Sequence, residues 1–569
     1  MFPPMYEEVT TLAEESLKSA FRIKDVIVTW QVPRERGRGD LATTVALELS
    51  KKLKKKPMEI AEALSTALQK NVSIEHAEAV APGYVNITLA PSALLRELNR
   101  SREAETGKVA DKKARSVIVE YSQPNIAKPL GVHHIIGTVL GQATSNLYRH
   151  LGHNVISWNY IGDWGTQFGK LAVAYEKWGE KPVEDHTIDE LLNLYVRFHE
   201  EAEADPTLED RGREAFRALE KGDVSLRAFW EDVVAVTKTS LTDVYERLQV
   251  SFDLDLGESF YEDKMEAVLD EGKKKNVFTI GEGGALIVAF PESANMPPYL
   301  ILKGDGATLY STRDLAQMRY RIDTYHPAKI LIFTDIAQKL HFEQLMETCR
   351  MLGWELPEFE NVLFGRMRFV DKSMSTRKGN ILNLEQVLDE AVQRAEKIIR
   401  EREETVQTDD PKELAEMMGI GALVYGILSQ NRKMDLVFDW DKMLSFEGNS
   451  APYIQYTHAR ARSVLRKAKT DAAELPKDID SLTEKERLLI GTLLQFSKVL
   501  DEALETHMPH KIANYLYELC QDYNAFYNSE PILKAEEPSK SLRLALTSFT
   551  ASVLKTGARI LTLRVPERM

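Results

Sequence analysis

Cysteine is nearly absent from this chain: 569 residues carry two, Cys349 and Cys520. Both sit in helix-like patterns and are expected to be buried thiols rather than a disulfide. Four-ligand zinc spacing is missing, so no protein-bound metal is expected. No apolar run approaches the length of a membrane span. The opening Met-Phe-Pro-Pro-Met-Tyr-Glu-Glu lacks the basic and apolar regions of a secretory leader. The chain therefore reads as cytoplasmic, without a membrane partner. Internal repeats and low-complexity tracts are also lacking. Positive charge is in deficit, with 73 Lys and Arg against 87 Asp and Glu, a net charge of −14. Phosphate attraction dominates non-specific nucleic-acid binding, which argues against indiscriminate coating of nucleic acid. Local basic runs still offer docking points: Arg34, Arg36 and Arg38; Lys51, Lys52, Lys54, Lys55 and Lys56; Arg460, Arg462, Arg466 and Lys467. Taken singly, each is more often an ordinary solvated face.

Hydrophobic content of 43% and charged content of 28% fit a globular protein, and the length calls for two to four domains. Residues 1–100 read as a small α+β domain. Leu41 to Leu53 and Glu59 to Leu68 have helical spacing, and Val85 to Leu89 alternates like a strand after the Pro82-Gly83 turn. A polar stretch from Ser101 reads as a helix end and linker. Residues 113–385 read as an α/β domain. Ser116 to Tyr121 is a buried-type strand, Gly131 to His150 an apolar-periodic helix and Val155 to Tyr160 a second strand. That order is a βαβ unit and implies a parallel, doubly wound, Rossmann-like sheet. Residues 170–275 are mainly helical and read as an insertion. Ala285 to Phe290, Tyr299 to Ile301 and Lys329 to Phe333 read as further strands. From Asn383 onward strand signals almost vanish, and residues 386–569 read as an all-α bundle.

Three segments carry chemistry. The first is Asn125-Ile-Ala-Lys128-Pro-Leu-Gly-Val-His133-His134, a strand-to-helix junction that offers backbone N–H groups and a positive dipole end to a phosphate. The second is Tyr310-Ser-Thr-Arg-Asp314, with Gln338 downstream. The third is Ser373-Met-Ser-Thr-Arg-Lys378-Gly379-Asn380. Together they resemble the arginyl-tRNA synthetases, a class I family. Pro124-Asn-Ile-Ala-Lys-Pro with the histidine-bearing helix start is similar to that family's HIGH signature, and Met374-Ser-Thr-Arg-Lys-Gly to its KMSKS signature. Gly162-Asp-Trp-Gly-Thr-Gln-Phe-Gly169, Ala451-Pro-Tyr-Ile-Gln-Tyr-Thr-His-Ala-Arg460 and the terminal Val565-Pro-Glu-Arg-Met569 also match family patterns. The resemblance covers essentially the whole chain. There are departures: the usual His-Val-Gly-His reads Gly131-Val132-His133-His134, the first KMSKS lysine is Ser373, and the serine that commonly precedes Pro-Asn is Gln123.

The resemblance implies ATP-dependent attachment of L-arginine to its tRNA through an arginyl-adenylate, with ATP entering as its Mg²⁺ complex. Such a transfer needs positioning and charge neutralisation. Lys128, His133, His134, Arg377 and Lys378 are the expected cations, with Lys128 compensating for Ser373. Gly131, His134, Gly162, Asp163, Met374 and Ser375 are expected around ATP. Arginine is expected to meet Gln123, Asn125, His134, Tyr310, Asp314 and Gln338. The carboxylate of Asp314 would receive the guanidinium fork, with Tyr310 one turn earlier on the same face. Glu120, at a strand end, is a weaker candidate. Tyr453, Tyr456 and Arg460 are expected to contact unpaired tRNA bases, and Lys54 and Lys55 the outer corner of the tRNA. A monomer is expected. Two other readings stay open: a tRNA-binding chain with an inert site, suggested by the altered HIGH signature, and a different nucleotidyl-transferring enzyme on the same sheet.

Overall fold

The computed structural model describes residues 6–33, 38–106, 114–369, 383–402, 406–471 and 473–569. The N-terminal unit is a three-stranded antiparallel sheet in the order Leu41–Thr43, Tyr84–Leu89, Ile74–Val80, packed against helices that include Glu7–Phe21 and Pro57–Leu68. The helix expected from Leu41 begins instead at Val45. Leu41–Thr43 pairs with Tyr84–Leu89, and the Thr43 hydroxyl accepts the Val45 N–H at 3.2 Å. Pairing overrides helical spacing in this stretch. Arg487, from the helix Glu484–Leu494, reaches into this unit and donates to Asp40 (2.7 Å), Glu75 (2.6 Å) and the Leu89 carbonyl (2.8 Å). Leu64 and Val85 share one continuous apolar cluster with Leu500 and Leu546, so the N-terminal unit is joined to the C-terminal helices by a common core.

The central sheet has four parallel strands in the order Glu358–Phe364, Lys329–Asp335, Ser116–Glu120, Asn154–Trp158. Val117, Ile118, Val119 and Ile330 to Phe333 are buried, as expected for inner strands of a parallel sheet covered by helices. The strand Glu358–Phe364 was not anticipated. It lies at the sheet edge and is only half-buried, so its Glu-Phe-Glu-Asn start shows none of the continuous apolar run of its neighbours. The chain leaves Ser116–Glu120 for one neighbour and returns to the other, which places a crevice at the carboxyl ends of these strands. The helix His134–His150 crosses the sheet beside Tyr121. Gly141 makes this approach possible, because a Cβ there would lie 2.2 Å from the tyrosine ring.

Helices fill residues 166–274 as expected, followed by a small antiparallel sheet of Phe278–Ile280, Leu286–Val288 and Tyr299–Leu302. Past residue 383 the chain is helical, with one short strand among the described residues: Leu436–Phe438 pairs in parallel with Met367–Phe369. The helical stretch expected from Glu484 to Thr506 is two helices that meet at Gln495. Both cysteines are free and buried. No helix among the described residues is long and apolar enough to cross a membrane.

Candidate active site

The loop from the strand Ser116–Glu120 to the helix His134–His150 has an unusual backbone. Ser122, Gln123 and Ala127 adopt left-handed conformations, with φ of 78°, 53° and 59°. Such strain persists only where the surroundings over-determine it. Here the insertion helix Val224–Arg247 supplies the props: the Tyr245 hydroxyl lies 2.7 Å from Ser122 Oγ, and Thr237 Oγ1 accepts the Ala127 N–H at 3.1 Å. Asn125 pairs with Gly162 through a backbone bridge. Gly131 forms a bridge with Asn383, and the Leu384 N–H donates to the Leu130 carbonyl at 2.8 Å. The chain thus returns to this loop directly after residue 382.

A cleft of about 1030 Å³ opens at the carboxyl ends of the strands. It brings Gln123, His133, His134, Tyr310, Asp314 and Gln338 together, residues drawn from three separate segments. Tyr310 and Asp314 lie one turn apart on one face of the helix Tyr310–Tyr325. Tyr310 is exposed to the cleft. Asp314 Oδ2 accepts from His341 Nε2 at 2.7 Å.

Several expectations need correction. The helix starts at His134, not Gly131, and the N–H groups of His134 and Ile135 already donate to the Gly131 and Val132 carbonyls, at 2.9 and 3.3 Å. Fewer backbone donors are therefore free for phosphate than expected. His133 and His134 are not cations. Burial lowers the pKa of both, that of His134 to about 4 with further help from His133 beside it, so both rings are neutral near pH 7. His134 Nδ1 lies 3.1 Å from the Gly131 nitrogen, and the two rings are 3.9 Å apart. Lys128 does not line the cleft; its ammonium sits 5.1 Å from the centre of the Tyr195 ring. Asn125, Gly131, Gly162 and Asp163 do not line it either. The Asp163 carboxylate is buried and accepts from the Ser259 N–H (2.8 Å) and hydroxyl (2.7 Å), which occupies it inside the protein. Glu120 reaches the cleft floor, but Arg321 and Gln317 donate to its Oε2 and Gln123 to its Oε1, at 2.5 Å. It anchors Gln123 and is not free for a ligand. Met374, Ser375, Arg377 and Lys378 lie outside the described residues.

The sequence reading missed four residues of this cleft. Glu258 lies across from Asp314 with its pKa pushed up to about 7, by burial first and then by Asp314 and Asp163, against the pull of Arg313. Tyr160 and His341 complete that wall. Arg366 is the one lysine or arginine lining the cleft among the described residues, 3.4 Å from Asp335. None carries a local signal, because each is brought in from a different element by tertiary packing.

In the C-terminal bundle, Arg460 lies between the rings of Tyr456 (4.7 Å) and Tyr527 (5.0 Å) and donates to Asn524 at 2.5 Å. Asn524 in turn donates to the Tyr453 hydroxyl at 3.1 Å. These three expected contacts form one internally bonded, half-buried patch. Lys54 and Lys55 are exposed.

Comparison with known proteins agrees along the whole chain. Residues 98–440 match the family "tRNA synthetases class I (R), catalytic domain", residues 454–569 the "DALR anticodon binding domain", and residues 7–89 the "Arginyl tRNA synthetase N terminal domain". The arginine–tRNA ligase of Fusobacterium nucleatum is 37% identical over 568 residues, covering 99% of each chain. That of Exiguobacterium sibiricum is 39% identical and covers 94% of this chain and 95% of its own. The arginyl-tRNA synthetase of Thermus thermophilus superposes with a TM-score of 0.80 at 25% identity, covering 100% of both chains. On the fold, the cleft and these matches, the chain belongs to the arginyl-tRNA synthetase family of class I tRNA synthetases.

Proposed function

We propose that the cleft at the carboxyl edge of the parallel sheet is where this chain, an arginine–tRNA ligase, joins arginine to ATP and then passes the arginyl group to tRNA. The supporting observation is the meeting of Tyr310, Asp314 and Gln338 with Gln123, His133 and His134 in one cleft. Asp314 and Glu258 take the guanidinium, with the Tyr310 ring beside them. Gln338, and Asn125 at the Gly162 bridge, take the α-amino end, and His134 stands at the junction with ATP. The arginine carboxylate attacks the α-phosphorus, and the bond to pyrophosphate breaks. Gly131 and His134 face ATP, with Met374 and Ser375. The contribution of Gly162 and Asp163 is to hold the turn against Asn125.

Charge on the phosphates falls to Lys128, whose long flexible stem must leave Tyr195, and to Arg366, Arg377 and Lys378. Both flanks of the segment carrying Arg377 and Lys378 are at the site: Met367 lines the cleft and Asn383 pairs with Gly131. Mg²⁺ arrives with ATP and neutralises its phosphates. The three-part division at residues 100 and 385 serves tRNA at both ends: Lys54 and Lys55 meet its outer corner, and Tyr453, Tyr456 and Arg460 its unpaired bases. The enzyme works as a cytoplasmic monomer. The test is aminoacylation of total tRNA with each of the twenty amino acids and ATP. Charging with arginine alone is expected; no charging at all would establish the inert tRNA-binding alternative.

A further inference from the structure

We infer that His341 is a positioning residue for arginine selection: with Tyr299 behind it, it holds the Asp314 carboxylate in one orientation. This rests on the reading that Asp314 receives the guanidinium. His341 lies in the first turn of the helix Lys339–Met351, just after the turn that carries Gln338. Its Nε2 lies 2.7 Å from Asp314 Oδ2, and its Nδ1 lies 3.1 Å from the Tyr299 hydroxyl. An ionised carboxylate can only accept, so Nε2 carries the proton. Nδ1 and the Tyr299 hydroxyl share the second hydrogen bond of the ring. Burial and the nearby Asp314 charge push the Tyr299 pKa well above its usual value, so that hydroxyl keeps its proton. The three groups form a connected chain, Tyr299 to His341 to Asp314, that fixes the ring and one carboxylate orientation.

The need for such a chain follows from the Asp314 side chain. The terminal torsion of an aspartate is soft, whereas a guanidinium fork requires two oxygens in a defined plane. Among the described residues, His341 is the only hydrogen-bond donor to Asp314. Oδ1 and the second lone pair of Oδ2 are left for a ligand. The His341 ring is itself wedged, with Tyr310 5.0 Å and Phe342 5.0 Å away in edge contacts. Tyr299 is buried in the strand Tyr299–Leu302. Orientation of the specificity carboxylate is thereby referred to a strand outside the parallel sheet.

The test is steady-state aminoacylation by the full-length enzyme, with KM for arginine, KM for ATP and kcat measured separately. His341→Phe keeps the ring and removes the donor. It is expected to raise KM for arginine about tenfold, with KM for ATP and kcat at saturating arginine within about twofold. His341→Gln, which can restore an N–H near Nε2, is expected to recover KM to within about threefold of the parent enzyme. Equal damage by both variants, or a fall in kcat at unchanged KM for arginine, would overturn the inference. Tyr299→Phe removes one hydroxyl and covers the case where His341→Phe does not fold; it should raise KM for arginine about threefold, and no change would count against the chain. Asp314→Asn, run in parallel, separates the two levels. If it leaves KM for arginine unchanged, the reading of Asp314 fails; if it alone raises KM while the His341 variants do not, only the role of His341 fails.

Discussion

The two ends of the cleft are built on opposite principles. At the arginine end the polar groups are already in place: Asp314 is held by His341, Glu258 lies opposite, and the Tyr310 ring stands beside them. Among the described residues, no free cation stands at the proposed phosphate end. His133 and His134 are neutral, Lys128 rests on Tyr195, and Arg366 is engaged with Asp335. The cleft walls carry Glu120, Glu258, Asp314 and Asp335 against Arg366 among the described residues. Glu120, Glu258 and Asp335 are paired with Arg321, Arg313 and Arg366, which leaves Asp314 as the carboxylate best placed to meet a cationic substrate. Under the proposed assignment, recognition of arginine is preorganised, while stabilisation of the transferring phosphate depends on rearrangement.

The largest test of this contrast is Lys128→Ala. If Lys128 swings from Tyr195 to the phosphates, single-turnover adenylate formation at saturating ATP should slow by about 10²–10³, with arginine affinity retained. A rate near that of the parent enzyme would leave Lys128 as a surface cation on the insertion. Next comes Asp314→Asn, which removes charge from the preorganised end. A loss of about 1.5–3 kcal/mol in arginine binding is expected, with ATP affinity nearly intact. The reverse pattern, weaker ATP and unchanged arginine, would exchange the two ends.

A smaller effect concerns pH. Glu258 attracts a guanidinium when ionised, and its raised pKa of about 7 leaves it substantially protonated below neutrality. Arginine affinity should therefore rise between pH 6 and 8, by at most about tenfold, and binding at pH 7 should release protons because the guanidinium favours the ionised form. Calorimetry in buffers of different ionisation enthalpy reads that release. Glu258→Gln should abolish it, and an unaltered proton release in that variant would assign it elsewhere. The smallest effect lies far from the cleft. Replacing Lys54 and Lys55 with alanine should leave arginine activation alone and flatten the salt dependence of tRNA binding by roughly one unit of slope per lost contact. An unchanged slope would make these lysines a solvated helix end.

The N-terminal unit shows how far linear patterning reaches. The helix Pro57–Leu68 and the strand near Val85 are legible from spacing, whereas Glu7–Phe21 and the strand Leu41–Thr43 are not, and the linear pattern makes this unit a domain of its own. Arg487, more than 380 residues beyond the Leu89 carbonyl it binds, ties this unit to the C-terminal helices, and the apolar core is continuous across the junction. Deleting residues 1–100 would therefore expose that shared core as well as remove lysines.

The sequence by itself determined the order of elements, the parallel α/β centre and two of the segments that meet in the cleft, those of His133-His134 and of Tyr310 and Asp314. Local periodicity and short motifs encode those features within a few residues of one another. It also determined Tyr310 and Asp314 as a pair, because they are one helical turn apart. Tertiary structure alone decided which groups are charged and which are already occupied. His134 lost its charge to burial, Glu120 is taken up by Arg321 from another helix, and Asp163 by Ser259. His341 and Glu258 gained their places opposite Asp314 from segments 27 residues after it and 56 residues before it. Desolvation and hydrogen-bond partners depend on what packs around a side chain, and for these residues that environment comes from distant parts of the chain.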